Sequence, residues 1–323
     1  MTHSTTYYVR AYASNTAGTA YGNQITVSTE SASFSVSAST RVLFSPGNLQ
    51  WSAKNGGSTA TTHVTVDGTA AGTWRFAPNQ WDTIGVNNKY ISSSYSGWID
   101  LFGWGTSGYN DPDDAYSLNY YPYSSSSSIV NTTYNYFGYS PSINMVNIHI
   151  SGTNYDWGVY NAIYNPQTRT TDAPRTWRTL TTNEWDYLIN NRSTTSGIRY
   201  AKATMNGVPG LILVPDSWKS STYTLNNPNY QGADYDSNVI SAAQWNTLEN
   251  AGCVFLPVTG FRTGVSFTDI AEGNYWSTST ENSGNAGYLY FTWAVMGVDF
   301  RWLGSGEVYR YLGLAVRLVR SGY

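Results

Sequence analysis

The sequence predicts an α+β fold in which two helices are embedded among many short strands and long loops. Helix start signals occur at Thr181 and Ser241, each followed three residues later by Glu or Gln. Most other apolar and aromatic residues fall in short runs that Gly, Pro and Asn interrupt, as is typical of strands and turns. With 323 residues and 41% hydrophobic content, the chain can bury a real core.

The first predicted element is a β-hairpin at the N-terminus. Residues 6–13 and 20–27 show strand alternation, and the turn-rich residues 14–18 join them. The pattern Tyr-x-Val-Arg-Ala-Tyr-Ala-x-Asn-x-Ala-Gly resembles the last two strands of a fibronectin type III or Ig-like domain. Because its earlier strands are absent, we expect residues 1–33 to be a partial domain and the chain to begin inside a longer multidomain protein. One hairpin cannot make a core.

A larger unit follows, predicted to span residues 38–323. Residues 41–51 and 73–77 indicate a strand, a turn and a returning strand around a polar, Gly-rich stretch at 54–72. The aromatics of the next hundred residues have uneven spacing that fits neither a helix nor a strand, so we interpret 79–85 and 97–105 as packed loops and the serine run 124–128 as surface loop. Insertions are therefore expected at about 52–72 and 86–170.

Both helices are predicted by a capping box and an apolar stripe. The boxes are Thr181-x-x-Glu184 and Ser241-x-x-Gln244, and Gly252 is placed as the stop of the second helix. The predicted buried residues are Trp185, Leu188 and Ile189 in the first helix and Trp245 and Leu248 in the second. The predicted strands that follow the first helix are 208–215, 254–257, 273–277, 288–291 and 314–320.

Four ordered blocks carry a family resemblance. Residues 179–188 look like the Leu-Pro-Thr-x-x-Glu-Trp-x-x-Leu segment of the formylglycine-generating-enzyme superfamily, with Thr182 or its neighbour where proline is usual. Residues 256–262, 273–279 and 313–320 resemble later blocks of C-type-lectin-fold proteins in that superfamily, above all surface proteins of gut-type bacteria and the variable proteins of diversity-generating retroelements. The resemblance implies a C-type lectin fold whose terminal strands pair, which would set 42–44 beside 314–316.

The resemblance also implies a binding face just before the last strand, at about 286–312, where such variable proteins carry diversified positions. Strand alternation would turn Leu289, Phe291 and Val295 to the core and leave Tyr288, Tyr290, Thr292 and Ala294 outward. The candidate ligand-binding residues are Tyr288, Tyr290, Thr292, Trp293, Met296, Asp299, Arg301, Trp302, Glu307, Tyr309 and Tyr311. Exposed Trp, Tyr, Met and Arg are the residues of energetic hot spots. In the alternative interpretation, Trp293 and Trp302 are core residues of a tryptophan-rich protein.

Composition argues against several other classes of function. The net charge is −3 and only 11% of the residues are charged. Binding of nucleic acid requires clustered Lys and Arg, and the sequence has no such cluster. No stretch reaches the length of a membrane span, and no secretion signal is recognisable at the N-terminus. The single cysteine, Cys253, lies in an apolar run that predicts a buried packing thiol.

Enzymatic and metal sites find little support. Formylglycine generation depends on a pair of cysteines in its family, and this chain has a single cysteine. A zinc site would need clustered His or Cys, and the three histidines are scattered. Two carboxylates could converge for glycoside hydrolysis, but no spacing recommends a pair. The calcium motifs of lectins are not found. We expect no metal and no cofactor; the one acidic cluster, Asp111, Asp113 and Asp114, could hold a hard cation, and a solvated turn explains it as well.

We therefore expect a non-enzymatic module that binds a protein or glycan receptor, with no nucleic acid and no direct membrane insertion. Its expected location is extracellular, on a cell surface or a phage particle, and an oligomer is compatible with the sequence. Two alternatives stay open: a carbohydrate-binding adhesin whose Trp and Tyr stack on sugar rings, and a structural module of a pilus or surface fibre whose aromatics are all core.

Overall fold

A computed structural model describes residues 6–28, 32–53, 73–91, 95–109, 122, 149–280, 285–299, 301–302, 306–307 and 309–322. These residues form mostly sheet with few helices, which confirms the predicted α+β class. The helices are α1 (Trp157–Tyr160), α2 (Thr182–Asp186) and α3 (Ala242–Asn250). Among the described residues, no helix is long and apolar enough to cross a membrane.

The strands are β1 (Thr6–Val9), β2 (Tyr12–Asn15), β3 (Gly18–Tyr21), β4 (Ile25–Ser28), β5 (Phe34–Ser35), β6 (Arg41–Phe44), β7 (Leu49–Ser52), β8 (Thr73–Phe76), β9 (Ile163–Asn165), β10 (Thr170–Asp172), β11 (Arg178–Thr179), β12 (Tyr200–Met205), β13 (Val208–Leu213), β14 (Val239–Ile240), β15 (Val254–Pro257), β16 (Phe261–Thr263), β17 (Ser266–Thr268), β18 (Gly273–Thr280), β19 (Ala286–Phe291), β20 (Met296–Asp299), β21 (Arg301–Trp302), β22 (Gly306–Glu307) and β23 (Leu318–Ser321). The larger sheets have the orders β10-β9-β8-β7, β11-β23-β6-β5, β14-β12-β13-β15 and β18-β19-β20. The pairs β1-β4, β2-β3, β16-β17 and β21-β22 complete the strand pairing.

Helices α2 and α3 begin where the sequence predicts. The Thr181 hydroxyl accepts from the backbone N–H of Glu184, whose carboxylate accepts from the N–H of Thr181; Ser241 and Gln244 form the same reciprocal pair. Helix α2 continues as a π-helical turn over Tyr187–Asn191. The predicted stripe residues are all buried, namely Trp185, Leu188, Ile189, Trp245 and Leu248. Gly252 follows α3 with a φ of +87°, a conformation that favours glycine, so its predicted role as a stop is confirmed.

The Ser241 cap gives a stability prediction. We expect Ser241→Ala to lower the free energy of unfolding by about 1 kcal/mol, because the N–H of Gln244 loses its acceptor at the helix start. Urea unfolding measures the loss, and Ser241→Thr, which keeps a hydroxyl acceptor, is the matched control. Equal losses in the two variants would show that the cap contributes nothing measurable.

The terminal strands pair, but in a register that differs from the prediction. In β6, Val42 lies opposite Ser321 and Phe44 opposite Val319, so residues 314–316 are not the partner. Leu314 and Ala315 instead form bridges with Phe102 and Tyr275. These residues are fully buried, and their neighbours on both sides belong to the interior, whereas β23 turns outward after Val319. The apolar run 314–320 therefore starts in the centre of the molecule, and only its end reaches the sheet that holds β6.

Three apolar clusters fill the interior. We call them the tryptophan cluster, which includes Trp74, Trp104 and Trp276; the α2 cluster, which includes Trp185; and the α3 cluster, which includes Trp245. The sequence predicts packed loops for residues 97–105, and Phe102 and Trp104 of this segment are packed in the tryptophan cluster. Cys253 is buried in the α3 cluster, as predicted.

Two parts of the described chain differ in packing. Residues 8–26, from the N-terminal hairpin, are exposed throughout, and its strands pair as predicted. Inside the predicted insertion 86–170 lie α1 and β9, and β10 begins at its last residue; the sequence does not predict these elements. Helix α1 begins at Asp156, a buried carboxylate that accepts from the N–H of Gly158 and from the N–H and hydroxyl of Thr179.

Candidate binding surface

The candidate surface lies on the sheet β18-β19-β20. Strand β19 is its centre, with Tyr288 opposite Trp276 of β18 and opposite Asp299 of β20. Leu289 and Phe291 face the α2 cluster and are fully buried, as predicted. Val295, which alternation also assigned to the core, is half-buried in the turn after β19.

Three residues expected to face outward are buried instead. Tyr288 is 1% exposed, Met296 4% and Thr292 8%. Tyr288 packs in the tryptophan cluster beside its cross-strand partner Trp276, so both faces of β19 are covered. Met296 lies opposite Phe291 and packs in the α2 cluster. The prediction assumed one solvent-facing side for this strand, and for these three residues it is wrong.

Trp293 occupies the turn between β19 and β20 and is 64% exposed. The turn is closed by a hydrogen bond from the Thr292 N–H to the Val295 carbonyl at 2.8 Å. The Thr292 hydroxyl oxygen also accepts from the N–H groups of Ala294 and Val295, at 3.1 and 3.2 Å. Thr292 therefore shapes the turn, and the indole next to it projects from an ordered backbone.

The candidate tyrosines have mixed environments. Tyr290 is half-buried against the tryptophan cluster and lies opposite Gly297 of β20. Its ring passes over this glycine, because a Cβ atom added there would lie 2.8 Å from the Tyr290 hydroxyl oxygen. Tyr309 is 41% exposed and stacks on Tyr311, with ring centroids 5.0 Å apart and planes 9° apart. A bridge between Asn285 and Tyr309 joins this pair to the start of β19. Tyr309 and Tyr311 thus form a second aromatic pair beside the start of β19, whereas Trp293 follows the end of that strand.

The remaining candidates are described only in part. The backbone of Asp299 lies in β20, and β21 pairs with β22 so that Arg301 lies opposite Glu307 and Trp302 opposite Gly306. The side chains of Asp299, Arg301, Trp302 and Glu307 lie outside the described part of the structure. The acidic cluster Asp111, Asp113 and Asp114 lies outside it entirely. Within the described ranges, no three His, Cys, Asp or Glu residues gather as metal ligands would.

Sequence analysis missed the loop that lies beside Trp293. A pocket of about 330 Å³ is lined by Ile270, Ala271, Glu272, Thr292, Trp293 and Val295. Burial raises the pKa of the Glu272 carboxyl, and a hydrogen bond with Asn274 opposes that rise only in part. Asp269, three residues earlier, is exposed. Two carboxylates just before the 273–279 block are the only sequence signal for this loop, and such a pair occurs in many solvated loops.

A larger cleft of about 630 Å³ lies elsewhere, between β6 and the end of α3. The hydrogen bonds of Gln80, a polar residue of its lining, connect separate segments of the fold. The Gln80 side-chain amide donates to Glu249 at 2.8 Å, and its carbonyl oxygen accepts from the N–H of Phe255 and from Arg317. Cys253 lies at the cleft floor with a thiol whose pKa burial raises well above its ordinary value, so the unreactive thiol form predominates.

The described geometry therefore brings together Trp293, Thr292 and Val295 with the unpredicted residues Ile270 and Glu272, and it places Tyr309 and Tyr311 as a second aromatic pair near the same sheet. Tyr288 and Met296 belong to the core beneath. In comparisons with known proteins, no protein-family model, no curated protein and no solved structure matches this chain.

Proposed function

We propose that this chain is a non-enzymatic binding module with a C-type lectin fold, which recognises a protein or glycan receptor through the turn that carries Trp293 and the aromatic pair Tyr309–Tyr311. Three features support the fold: the pairing of β6 with β23, the two capped helices, and the four ordered blocks between 179 and 320. The finer family resemblance, to variable proteins of diversity-generating retroelements, is part of the same proposal.

One observation carries the functional part of the proposal. The chain has thirteen tryptophans, and the structure describes the side chains of all except Trp302. Ten of them are buried and Trp81 is half-buried, so Trp293 is the exposed one within that set. The interpretation of Trp293 as a core residue is therefore wrong, and the structural alternative, in which the aromatics are all core, does not hold for this residue.

The energetics favour recognition at this turn. A mostly exposed indole contributes little to the stability of the isolated chain, whereas its burial against a partner removes a large apolar area from water. Because β18, β19 and the turn hydrogen bonds already hold Trp293 in place, binding does not have to order the backbone that carries it. Such pre-organised aromatic anchors dominate the affinity of many interfaces.

We place the module outside the cell, on a cell surface or a phage particle, because amide, hydroxyl and aromatic side chains rather than charges make up much of its polar surface. The diversified-family proposal has a genomic test. A neighbouring reverse-transcriptase gene and a near-copy of the 3′ coding end that differs at adenines would support it, and their absence would reduce the proposal to an ordinary surface module.

Replacing Trp293 gives the sharpest binding prediction. We expect Trp293→Ala to weaken receptor binding by 2 kcal/mol or more, about thirtyfold, which is the scale of a hot-spot residue. Thermal unfolding should stay within about 0.5 kcal/mol of the parent chain, because surface side chains contribute little to folding. Surface plasmon resonance against receptors recovered by protein capture or on a glycan array measures the binding.

The matched control is Tyr230→Ala, which removes an exposed aromatic side chain, 61% exposed, from a different loop. Unchanged binding in the Trp293 variant and a loss in the Tyr230 variant would refute the proposed surface. Glycan-array signal that depends on Trp293 would select the adhesin version of the proposal, and a protein ligand without glycan signal would select the receptor-binding version.

A further inference from the structure

The pocket beside Trp293 combines apolar and polar residues. Ile270, Ala271 and Val295 line it together with Thr292 and Trp293, and Glu272 is the single charged residue of the lining. Its volume of about 330 Å³ lies at the lower end of the range of ligand pockets and is large enough for one side chain of a ligand.

The two sides of this pocket are held in fixed positions. The Tyr235 hydroxyl lies 3.2 Å from the Ala271 carbonyl oxygen and 3.4 Å from that of Phe291, so it links the loop to the end of β19. The Glu272 carbonyl accepts from the N–H groups of Thr259 and Gly260, at 3.1 and 2.9 Å. The pairing of Gly273 with Phe291 then places Glu272 next to Thr292 at the open end of the sheet.

The pocket also carries negative charge that the described residues do not neutralise. The ion pairs between described residues are Arg41–Asp216, Arg178–Glu184 and Arg192–Asp216, and none includes Glu272 or Asp269. Partial burial of Glu272 makes its charge costly without a cation, which is also why its pKa is raised. A cation that entered the pocket would relieve this cost.

We infer that this pocket binds a lysine or arginine side chain of a protein ligand, with the aliphatic stem against Ile270 and Val295, the cation near the face of Trp293, and the charge paired with Glu272. Tryptophan is the aromatic side chain with the strongest attraction for cations. An acidic group would be repelled by Glu272. A neutral sugar would supply no cation to pair with Glu272. This inference rests on the proposed function and names the chemistry of its ligand.

The experiment uses ¹⁹F NMR of the full chain labelled with 5-fluorotryptophan, in which the spectrum of Trp293→Phe assigns the Trp293 resonance. The probes are Nα-acetyl-lysine amide, its neutral analogue Nα-acetyl-norleucine amide, and methyl glucoside. We expect the lysine probe alone to shift the Trp293 resonance, with saturation in the millimolar range. Glu272→Gln should weaken that binding by about three- to fivefold, the effect of one partly exposed ion pair.

Asp82→Asn is the matched control, since it removes one carboxylate from a loop outside the pocket and should leave the titration unchanged. Equal shifts with the norleucine probe, shifts with the glucoside alone, no shift with any probe, or an unaltered titration in Glu272→Gln would each overturn the inference. These outcomes remain separate from the proposed function. If Trp293→Ala abolishes receptor binding while the lysine probe does nothing, the surface stands and the assigned ligand chemistry fails.

Discussion

Trp276→Ala is expected to lower the free energy of unfolding by about 3–5 kcal/mol, the usual loss for a large aromatic removed from a core. Trp276 is fully buried in the tryptophan cluster, and its indole N–H donates to the Phe102 carbonyl at 2.6 Å. The substitution leaves a cavity and removes one of the two donors to the Phe102 carbonyl, which also accepts from the N–H of Leu314 at 3.1 Å. Urea unfolding measures the loss, and the same measurement on Trp293→Ala should give less than about 0.5 kcal/mol.

Trp276→Phe separates the two contributions to that loss. Phenylalanine keeps much of the ring volume but has no N–H, so its loss should fall well below that of the alanine variant and still exceed zero. If the alanine substitutions at 276 and 293 cost the same, the assignment of one tryptophan to the core and the other to the surface would be wrong.

The helices could be predicted from sequence because their signals are local. A capping box involves four consecutive residues, and its hydrogen bonds form within one turn of the chain. The Thr181 and Ser241 boxes, the buried stripes that follow them and the Gly252 stop therefore needed no knowledge of tertiary structure. The pairing of β7 with β8 could be predicted for a similar reason. The two strands contain apolar and aromatic residues, whereas the stretch between them is polar and rich in glycine.

The exposure of the candidate binding residues depended on distant parts of the chain. Alternation along β19 correctly assigned Leu289 and Phe291 to one face, but alternation alone cannot say whether the other face meets solvent. The second face is covered by Trp276, by residues 312–316 and by the loop around Phe102. Tyr288 is buried by that packing, and no local pattern in 286–291 encodes it.

The pocket at Trp293 was missed for a related reason. Glu272 and Trp293 are brought together by the register of β18 on β19, and the hydroxyl of Tyr235, from a third segment, links the carbonyls of Ala271 and Phe291 beside them. Before the register is known, Asp269 and Glu272 look like any solvated turn. The family resemblance correctly predicted that the terminal strands pair. It did not predict their register, because residues 313–316 cross the centre of the molecule and pair there with other segments.

Two buried aspartates should make this protein more stable in mild acid than at neutral pH. Burial raises the pKa of Asp100 from 3.8 to about 6, although the N–H groups of Ile84 and Asn88 donate to its carboxylate. Burial also raises the pKa of Asp156 to about 6, against its hydrogen bonds from Thr179 and Gly158. Each of these carboxyl groups therefore keeps its proton in the folded chain at pH values where the same group has released it in the unfolded chain.

The direction of the pH dependence follows from the number of protons that the folded and unfolded chains bind. Between about pH 4 and pH 6 the folded chain binds more protons than the unfolded chain, so the free energy of unfolding falls as the pH rises through that window. Each group contributes about 3 kcal/mol to the fall, since its pKa differs by about two units between the states. Urea unfolding from pH 4 to pH 7 should show stability that declines over this range and then levels.

Asp100→Asn isolates one of these contributions. The N–H of Ile84 and the side-chain amide of Asn88 donate to different oxygens of the Asp100 carboxylate, and in asparagine one of these positions is an NH2 donor. One of the two hydrogen bonds is therefore lost, and we expect this variant to be less stable at every pH. The informative quantity is the slope, because an amide does not titrate and the variant should lose about half of the decline that the two aspartates cause. An unchanged slope in Asp100→Asn and in Asp156→Asn would mean that neither carboxyl keeps its proton in the folded chain, and the hydrogen bonds to both would then outweigh burial.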